Sequence, residues 1–577
     1  MFLRKGISNG RTYLSIVQGY RDEKTHKPKS KTIMSIGYLD ELEKEYTDPI
    51  AHFKEVAKQM TEEYNDKHKA ITIEIMPDKK LSTKDDLVKN FGYAALSKIY
   101  HELELNTFFQ IKQRKLDVEF NLNSVFKLLV YGRAIFPGSK KYTFENKHRI
   151  FDRTQFTQDD VYRALTYLAR YEDALQKWMH EHISVNYDRD TSLLYYDVTN
   201  YYFEIDEQDE LRKKGACKEH RPNPIVQMGM FIDSNGLPVS YELFPGNTND
   251  VITLRPALKK AKEEIGSEKV IVVADKGINS GDNIYYTLSG KNGYVISKSI
   301  RGADQEIKEY VLDEEGYHMT GEEYKCKSRL YPREINVTLT NGRKKKVPVD
   351  EKQVVFYSEK YARRAKAERD AAVAKANDLI KSPGKYTKAT SYGAAKYINN
   401  IEYDRETGEV LKGGKALSID QELIDEEAKY DGYYMIVTSE YEKSDGEIID
   451  IYRGLWRIEE SFKITKSTLT TRPVYVSTEE HIHAHFLICY VTLTLLRILE
   501  MKTGRKYCVD RIVKSMRKCN YTHLEKNYYV LEYYDEILEE VGKVTGIDFS
   551  LKYRTLSEIK KITGYSRKKS HSTTIND

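Results

Sequence analysis

The stretch SLLYYDVTNYYFE, residues 192–204, sets one aspartate, Asp197, within a run of apolar and aromatic residues. Runs rich in β-branched and aromatic residues predict a strand. Two further strand-like segments follow it, NPIVQMGMFID at 223–233 and VSYELFPG at 239–246, separated by the turn sequence SNGLP. Short turns between such runs favour antiparallel pairing, so the sequence predicts a three-stranded meander.

The pattern after the meander changes to alternating helices and strands. VITLRPALKKAKEEIG (251–266) has the spacing of an amphipathic helix, and KVIVVADKG (269–277) is the continuous apolar run of a strand buried on both faces. Another helix and the strand GYVISKS (293–299) come next. The order strand, strand, strand, helix, strand, helix, strand predicts a mixed α/β fold, a sheet flanked by helices in the ribonuclease-H-like arrangement.

Two aspartates follow apolar strand sequences in this predicted sheet, Asp197 after LLYY and Asp275 after VIVVA. A single Asp at a strand end is most often a turn or cap residue. If the first and fourth strands are neighbours, however, the two carboxylates come side by side and repel each other unless a cation lies between them. A hard divalent cation with oxygen ligands removes that cost, and two such ions are the arrangement used for phosphoryl transfer.

A third acid lies in YRGLWRIEESFKITKS, residues 452–467, whose periodicity predicts one helix. Glu459 falls at the centre of a face that also carries Tyr452, Trp456, Lys463 and Lys466. A Glu four residues before a Lys is usually a surface ion pair. Together with Asp197 and Asp275, Glu459 instead predicts a third carboxylate ligand supplied by a helix packed on the sheet.

Length and composition indicate a folded protein of several domains, or of one domain elaborated by insertions, because 577 residues exceed one ordinary core. The net charge of +5 gives no global attraction to polyanions, so DNA contacts would need local clusters of the 93 Lys and Arg. Five scattered cysteines form no C-x-x-C pair, and no signal peptide is recognisable. The longest apolar run, FLICYVTLTLL from residue 486, is too short to span a membrane and predicts a buried helix. We expect a cytoplasmic protein without membrane partners.

Changes of pattern along the chain suggest six segments. The first contains a β-hairpin, the second is helical and a candidate DNA-binding region, and the third and fifth form the two parts of the catalytic core. The fourth is a β-rich insertion and the last a basic helical region. Their predicted bounds are 1–75, 76–190, 191–301, 302–445, 446–500 and 501–577.

The helix sequence resembles the Y-x2-R-x3-E-x6-K signature of insertion-sequence DDE transposases, the bacterial family numbered four. Tyr452, Glu459 and Lys466 match its spacing, while Leu455 stands at the Arg position. The segments around the two aspartates resemble the subgroup of that family with a long insertion, and the resemblance extends over about residues 190–500.

The resemblance implies that Asp197, Asp275 and Glu459 are the catalytic acids and the metal ligands. It also implies two Mg²⁺ ions as cofactor, for which Mn²⁺ can substitute. It implies double-stranded DNA as partner, both the transposon ends and the target, in a synaptic complex of a homodimer or larger assembly. Bound protein would be associated with the bacterial nucleoid. Expected DNA contacts are Tyr452, Lys466, Trp456, Lys463 and Arg453.

Two other functions are compatible with the same residues. One is a ribonuclease-H-like nuclease that hydrolyses DNA without strand transfer. The other is a non-catalytic DNA-binding protein descended from a transposase, against which the presence of all three acids argues. Cut-and-paste DNA transposition, with metal-dependent cleavage and strand transfer, is the function that the sequence favours.

Overall fold

The computed structural model describes residues 1–8, 10–21, 27–67, 78, 80–82, 87–215, 222–266, 269–321, 324–339, 341–382, 393–403 and 410–567. The chain forms two compact units, Met1–Ser82 and Thr83–Asp577. The predicted hairpin of the first unit is confirmed, and a strand before it extends the hairpin to a three-stranded antiparallel sheet. Its elements are β1 (Phe2–Ser8), β2 (Arg11–Arg21), β3 (Pro28–Tyr38), α1 (Leu39–Leu42) and α2 (Pro49–Lys67).

The second unit begins with one short strand and a group of helices. Most of these helices bury apolar side chains in one large core cluster, which also covers one face of the central sheet. The elements are β4 (Val88–Asn90), α3 (Tyr93–Glu102), α4 (Leu105–Gln113), α5 (Leu122–Ile135), α6 (Lys140–Glu145), α7 (Gln158–Arg170) and α8 (Glu172–Tyr187).

The predicted order of strands and helices after residue 191 is present. The parallel strands β5, β8 and β9 lie side by side, and the antiparallel meander continues from β5 outward, giving the local order β7-β6-β5-β8-β9. These elements are β5 (Leu193–Tyr202), β6 (Ile225–Ile232), β7 (Pro238–Pro245), α9 (Asp250–Ile265), β8 (Ile271–Ala274), α10 (Gly281–Ser289) and β9 (Gly293–Lys298).

Alternation of side chains along β5 explains why the sheet is buried on both faces. Tyr195 and Tyr201 belong to the cluster formed with the N-terminal and C-terminal helices, whereas Leu194 and Tyr196 belong to a second cluster with α9 and α10. Successive residues of a strand point to opposite faces, so β5 contributes side chains to the apolar clusters on both faces of the sheet.

The region predicted as an insertion continues the central sheet. Within the described residues the sheet has nine strands, in the order β10-β11-β12-β15-β9-β8-β5-β6-β7, because β15 pairs with β9. The long β11–β12 ribbon thus extends the sheet instead of forming a separate β-domain. The elements are α11 (Gln305–Leu312), β10 (His318–Thr320), β11 (Tyr324–Thr338), β12 (Lys344–Tyr357), α12 (Glu359–Lys381), β13 (Ile398–Tyr403), β14 (Val410–Ile419), α13 (Gln421–Ala428) and β15 (Tyr433–Thr438).

The C-terminal part is less uniformly helical than predicted, because three short strands pair with one another and with β4. The apolar run predicted as a buried helix lies in a helix long and apolar enough to cross a membrane, but 94% of its most apolar window is buried inside the fold. The elements are α14 (Asp445–Arg453), α15 (Trp456–Lys463), α16 (Glu479–Lys502), α17 (Val509–Lys518), β16 (Asn520–His523), β17 (Tyr528–Leu531), α18 (Glu536–Thr545), β18 (Tyr553–Thr555) and α19 (Leu556–Ser566).

The prediction of one uninterrupted helix over 452–467 is wrong. Tyr452 lies in the last turn of α14, which ends at Arg453. The α-helix is interrupted at Gly454 and Leu455, and α15 then continues into a π-helical turn at Ile464–Thr468. Gly454 passes so close to β5 that a Cβ there would lie 2.2 Å from the Tyr195 hydroxyl oxygen. Glycine allows this approach, and the two helices are joined by a tight turn in which Gly454 and Leu455 keep right-handed helical backbone angles.

Candidate active site

Asp197 and Asp275 lie next to each other on two parallel strands. Tyr196 of β5 is in register with Ala274, the last residue of β8. Asp197 directly follows Tyr196, and Asp275 directly follows Ala274. Asp197 is not at a strand end as predicted, because β5 continues to Tyr202 by pairing with β6. Since β8 stops at Ala274, the edge of β5 beyond this point opens into a cleft.

Backbone amides fix one oxygen of each aspartate. Asp275 caps the short 3₁₀ turn Lys276–Ile278, and its Oδ1 accepts a hydrogen bond from the Gly277 amide at 2.8 Å. Oδ1 of Asp197 accepts from the Val198 amide at 2.8 Å. Hydrogen bonds of this kind orient a carboxylate.

Glu459 approaches the same cleft from α15. The helix is held on the sheet by buried Ile458 and Phe462, and by Leu455 just before it. Glu459 itself is exposed, since it points out of this packed face toward the space above the two aspartates. The apolar neighbours therefore position the carboxylate.

All three acids line one cleft of about 530 Å³. Basic side chains lie along the same wall, namely Lys463, Lys466 and Arg472. Lys463 and Lys466 were predicted from the helix, but Arg472 was not, because it stands outside any periodic pattern. A cleft that carries acids at its floor and cations beside them is suited to a phosphodiester, whose charge the cations attract.

A second cleft, of about 350 Å³, shares Asp275 and Glu459 with the first and extends toward β9 and β15. Tyr452 lines it, and burial raises the pKa of this phenol to about 12, so the hydroxyl is neutral at ordinary pH. Cations that sequence analysis missed also line this cleft: Lys276, Lys298 and Arg301. Only their positions on the folded sheet, not their local sequence, associate them with the acids.

Trp456 and Arg453, both expected to contact DNA, are not among the residues that line these two clefts. Trp456 is 55% exposed and does not pack α15 on the sheet. The Nη1 atom of Arg453 lies 3.7 Å from Oδ1 of Asp450 on the same helix. Arg453, the last residue of α14, and Trp456, the first residue of α15, therefore remain predicted DNA contacts that lie outside the two clefts.

Leu455, at the position usually occupied by Arg in the signature, is only 8% exposed and lines both clefts. It forms an apolar wall between the acids. Arg457, the other nearby arginine, lies with its side chain against Gly236, so it does not replace an arginine at position 455.

The donor set fits divalent metal ions of the hard class. Asp197, Asp275 and Glu459 offer carboxylate oxygens, and the hydroxyl-bearing Thr199 and Ser467 also line the cleft. Mg²⁺ prefers such oxygen ligands and retains several waters, for which this cleft has room. Within the described part of the chain neither cysteine nor histidine lines it, so softer metals have no matching ligands there.

Two family models match the sequence. Residues 203–495 match the transposase DDE domain, and residues 3–71 match the N-terminal domain of IS1634 family transposases. The first match includes Asp275 and Glu459 and begins just after Asp197. Among curated proteins, none is a matching relative.

Among solved structures, the chain is similar to a piggyBac transposase in a synaptic complex with hairpin DNA, determined by cryo-EM. The two share 9% sequence identity with a TM-score of 0.37, over 84% of this chain and 86% of the other. Because the DDE-domain model covers half of the sequence, the family rests on that match: this chain belongs to the transposases with a DDE domain, and it is a DDE-type transposase enzyme.

Proposed function

We propose that this enzyme binds the terminal inverted repeats of an insertion sequence, cuts the DNA at these ends and joins them to a target. The observation that carries the proposal is the register of β5 and β8, which sets Asp197 beside Asp275 at the floor of the cleft that Glu459 lines. The strand order β7-β6-β5-β8-β9, with its antiparallel and parallel halves, supports a ribonuclease-H-like core.

Each group of residues has a distinct task in this proposal. Asp197, Asp275 and Glu459 hold divalent ions, with Mg²⁺ as the physiological ion and Mn²⁺ as a substitute. Bound ions would activate the attacking water or 3′-hydroxyl and stabilise the departing oxygen. Lys463, Lys466 and Arg472 attract and orient the phosphate backbone beside the acids, and Tyr452 offers a neutral hydroxyl as a hydrogen-bond donor.

The proposal extends to the setting of the reaction. The substrates are double-stranded transposon ends and target DNA, held in a complex of at least two protomers, and the enzyme works in the cytoplasm on the nucleoid. The helical segment 76–190 is the proposed DNA-binding region. The family-four signature applies with Leu455 in place of Arg, so contacts made by that arginine are not part of this mechanism.

A strand-transfer assay tests the proposal. The inverted repeats that flank the gene supply end sequences for paired-end donor DNA, and purified enzyme is incubated with this donor, a supercoiled target and Mg²⁺. We expect cleaved ends and joined products, and neither from Asp197→Asn, which should still bind the ends. The exposed acid variant Asp206→Asn is the matched control and should retain both products.

The alternative functions give different results in the same assay. Nicked or cleaved ends without joined product would identify a nuclease. Binding without cleavage in the wild-type enzyme would identify a non-catalytic DNA-binding protein. Unchanged cleavage by Asp197→Asn would remove this residue from the active site.

A further inference from the structure

Three side chains with metal-binding atoms, none of which lines the two acid clefts, meet where the β10–β11 hairpin packs on the start of α14. His318 and Cys326 are directly opposite each other in the antiparallel register of the hairpin. Asp445 is the first residue of α14. One ligand atom from each residue lies within 4.8 Å of the other two.

We propose that His318, Cys326 and Asp445 bind a zinc ion. The distance from Cys326 Sγ to His318 Nε2 is 3.6 Å. Zinc bonds of about 2.3 Å to sulfur and 2.0 Å to nitrogen, at a tetrahedral angle, place these two atoms about 3.5 Å apart, close to the observed distance. The pair is therefore spaced as two ligands of one ion, and Asp445 is close enough to supply the third.

The surroundings of Cys326 supply a hydrogen-bonding partner for a metal-bound sulfur. The residue is fully buried. The Thr320 hydroxyl oxygen lies 2.8 Å from Sγ and can donate a hydrogen bond to a thiolate. Zinc displaces the thiol proton, and such a donor then orients the ligand.

Asp445 already has one cationic neighbour, which determines how it would bind. Lys352 Nζ lies 3.0 Å from Asp445 Oδ1 and also donates to the Lys443 carbonyl at 2.7 Å. The lysine therefore orients the carboxylate by holding Oδ1 and leaves Oδ2 for the ion. Residues that hydrogen-bond to a metal ligand commonly orient it in this way. His318 is exposed, which gives the ion a route from solvent and a fourth position for water.

An ion at this position would connect two parts of the fold. It joins the hairpin that begins the sheet extension to the helix whose last turn carries Tyr452. Packing is already close there, since a Cβ at Gly446 would be 3.0 Å from the Thr320 methyl group. Zinc would thus hold α14 in place from its N-terminal end, independently of the catalytic ions.

Metal loading of the full-length protein tests the site. Chelator-treated protein is titrated with Co²⁺ and followed by absorption spectroscopy, then loaded with Zn²⁺ and dialysed for elemental analysis. We expect an intense near-ultraviolet thiolate-to-cobalt band and about one retained zinc per chain. Oxygen ligands alone do not give this band, so Co²⁺ at the catalytic acids does not imitate it. The result therefore does not depend on the proposed reaction.

Variants assign the signal to these residues. His318→Ala changes an exposed residue and should abolish both the band and zinc retention without unfolding the chain, and Cys326→Ser should do the same. The exposed cysteine gives the matched control, Cys508→Ser, which should keep both signals. A wild-type protein that shows no thiolate band, or a His318→Ala variant that keeps it, would overturn the proposal.

Discussion

Asp197 and Asp275 immediately follow a pair of residues, Tyr196 and Ala274, that are in register on adjacent parallel strands. One strand ends there and the other continues, so the two carboxylates share an open edge. The position of Glu459 over that edge depends on a separate helix that is packed by its apolar face. The site is thus assembled from three elements, and each contribution can be tested separately.

The carboxylates should differ sharply from neighbouring acids in their effect on cleavage. We expect Glu459→Gln and Asp275→Asn to lower the rate of end cleavage at least about 100-fold, because each removes a charged metal ligand. The measurement is single-turnover cleavage of labelled end DNA in Mg²⁺.

The adjacent residue offers a matched control. Glu460 is ion-paired with Arg497 at 2.8 Å instead of lining the cleft, so Glu460→Gln should cleave at a rate close to wild type even if its stability falls. Equal losses in Glu459→Gln and Glu460→Gln would show that charge near α15, and not metal ligation, controls the rate.

Basic residues beside the acids should contribute to DNA affinity by neutralising phosphates. We expect Lys463→Ala and Lys466→Ala each to weaken end binding and to reduce the slope of log affinity against log salt by about 0.9, the change expected when one phosphate is no longer neutralised. Fluorescence anisotropy at several salt concentrations measures both quantities.

The control for these variants is a lysine on the opposite side of the sheet. Lys259 on α9 is exposed and lines neither cleft, so Lys259→Ala should leave the slope unchanged. If Lys466→Ala keeps the wild-type slope, this lysine does not bind a phosphate.

The helix break at Gly454 should be essential to the site. In Gly454→Ala the new methyl group would overlap the Tyr195 hydroxyl, so we expect a loss of about 1–3 kcal/mol in unfolding free energy and reduced cleavage as α15 shifts. Gly564 is also in a helix, α19, but has open space around its Cβ position. Gly564→Ala should be neutral or stabilising in the same denaturation experiment, and an equally tolerated Gly454→Ala would contradict the close packing.

The succession of strands and helices along the chain could be predicted because apolar runs, turns and a helical period are local signals, whereas the pairing of β5 with β8 was only a condition of the site prediction. The residues Asp197, Asp275 and Glu459 followed from their places in that order. The close approach of Gly454 to Tyr195 could not be predicted, since Tyr195 lies on a strand far away in sequence. Lys298 and Arg301 were missed for the same reason: only the pairing of β9 with β15 turns them into walls of a cleft.

Trp456 should matter for DNA and not for stability. Its side chain is 55% exposed, so Trp456→Ala should change the unfolding free energy by less than about 0.5 kcal/mol, whereas Phe462→Ala on the buried face of α15 should cost about 3–5 kcal/mol.

The chain has two tryptophans, so fluorescence can test the contact of Trp456 with DNA. The other, Trp178, donates a hydrogen bond from Nε1 to the Leu103 carbonyl within the helical core. End DNA should therefore quench fluorescence in the wild type and in Trp178→Phe, but not in Trp456→Phe; persistent quenching in Trp456→Phe would exclude this residue as the contact.

Stability should depend on pH through an ion pair between α8 and α16. His483 Nδ1 lies 2.6 Å from Glu172 Oε2, and although burial alone would lower the pKa of His483, the carboxylate outweighs it and raises the pKa above 6.5. A histidine with a raised pKa in the folded state adds stability that is complete below its unfolded pKa and is lost as pH rises through the folded pKa. The difference in melting temperature between the wild type and His483→Gln should therefore be large near pH 5.5 and small near pH 9. A difference for His483→Gln that grows with pH would contradict the assigned sign.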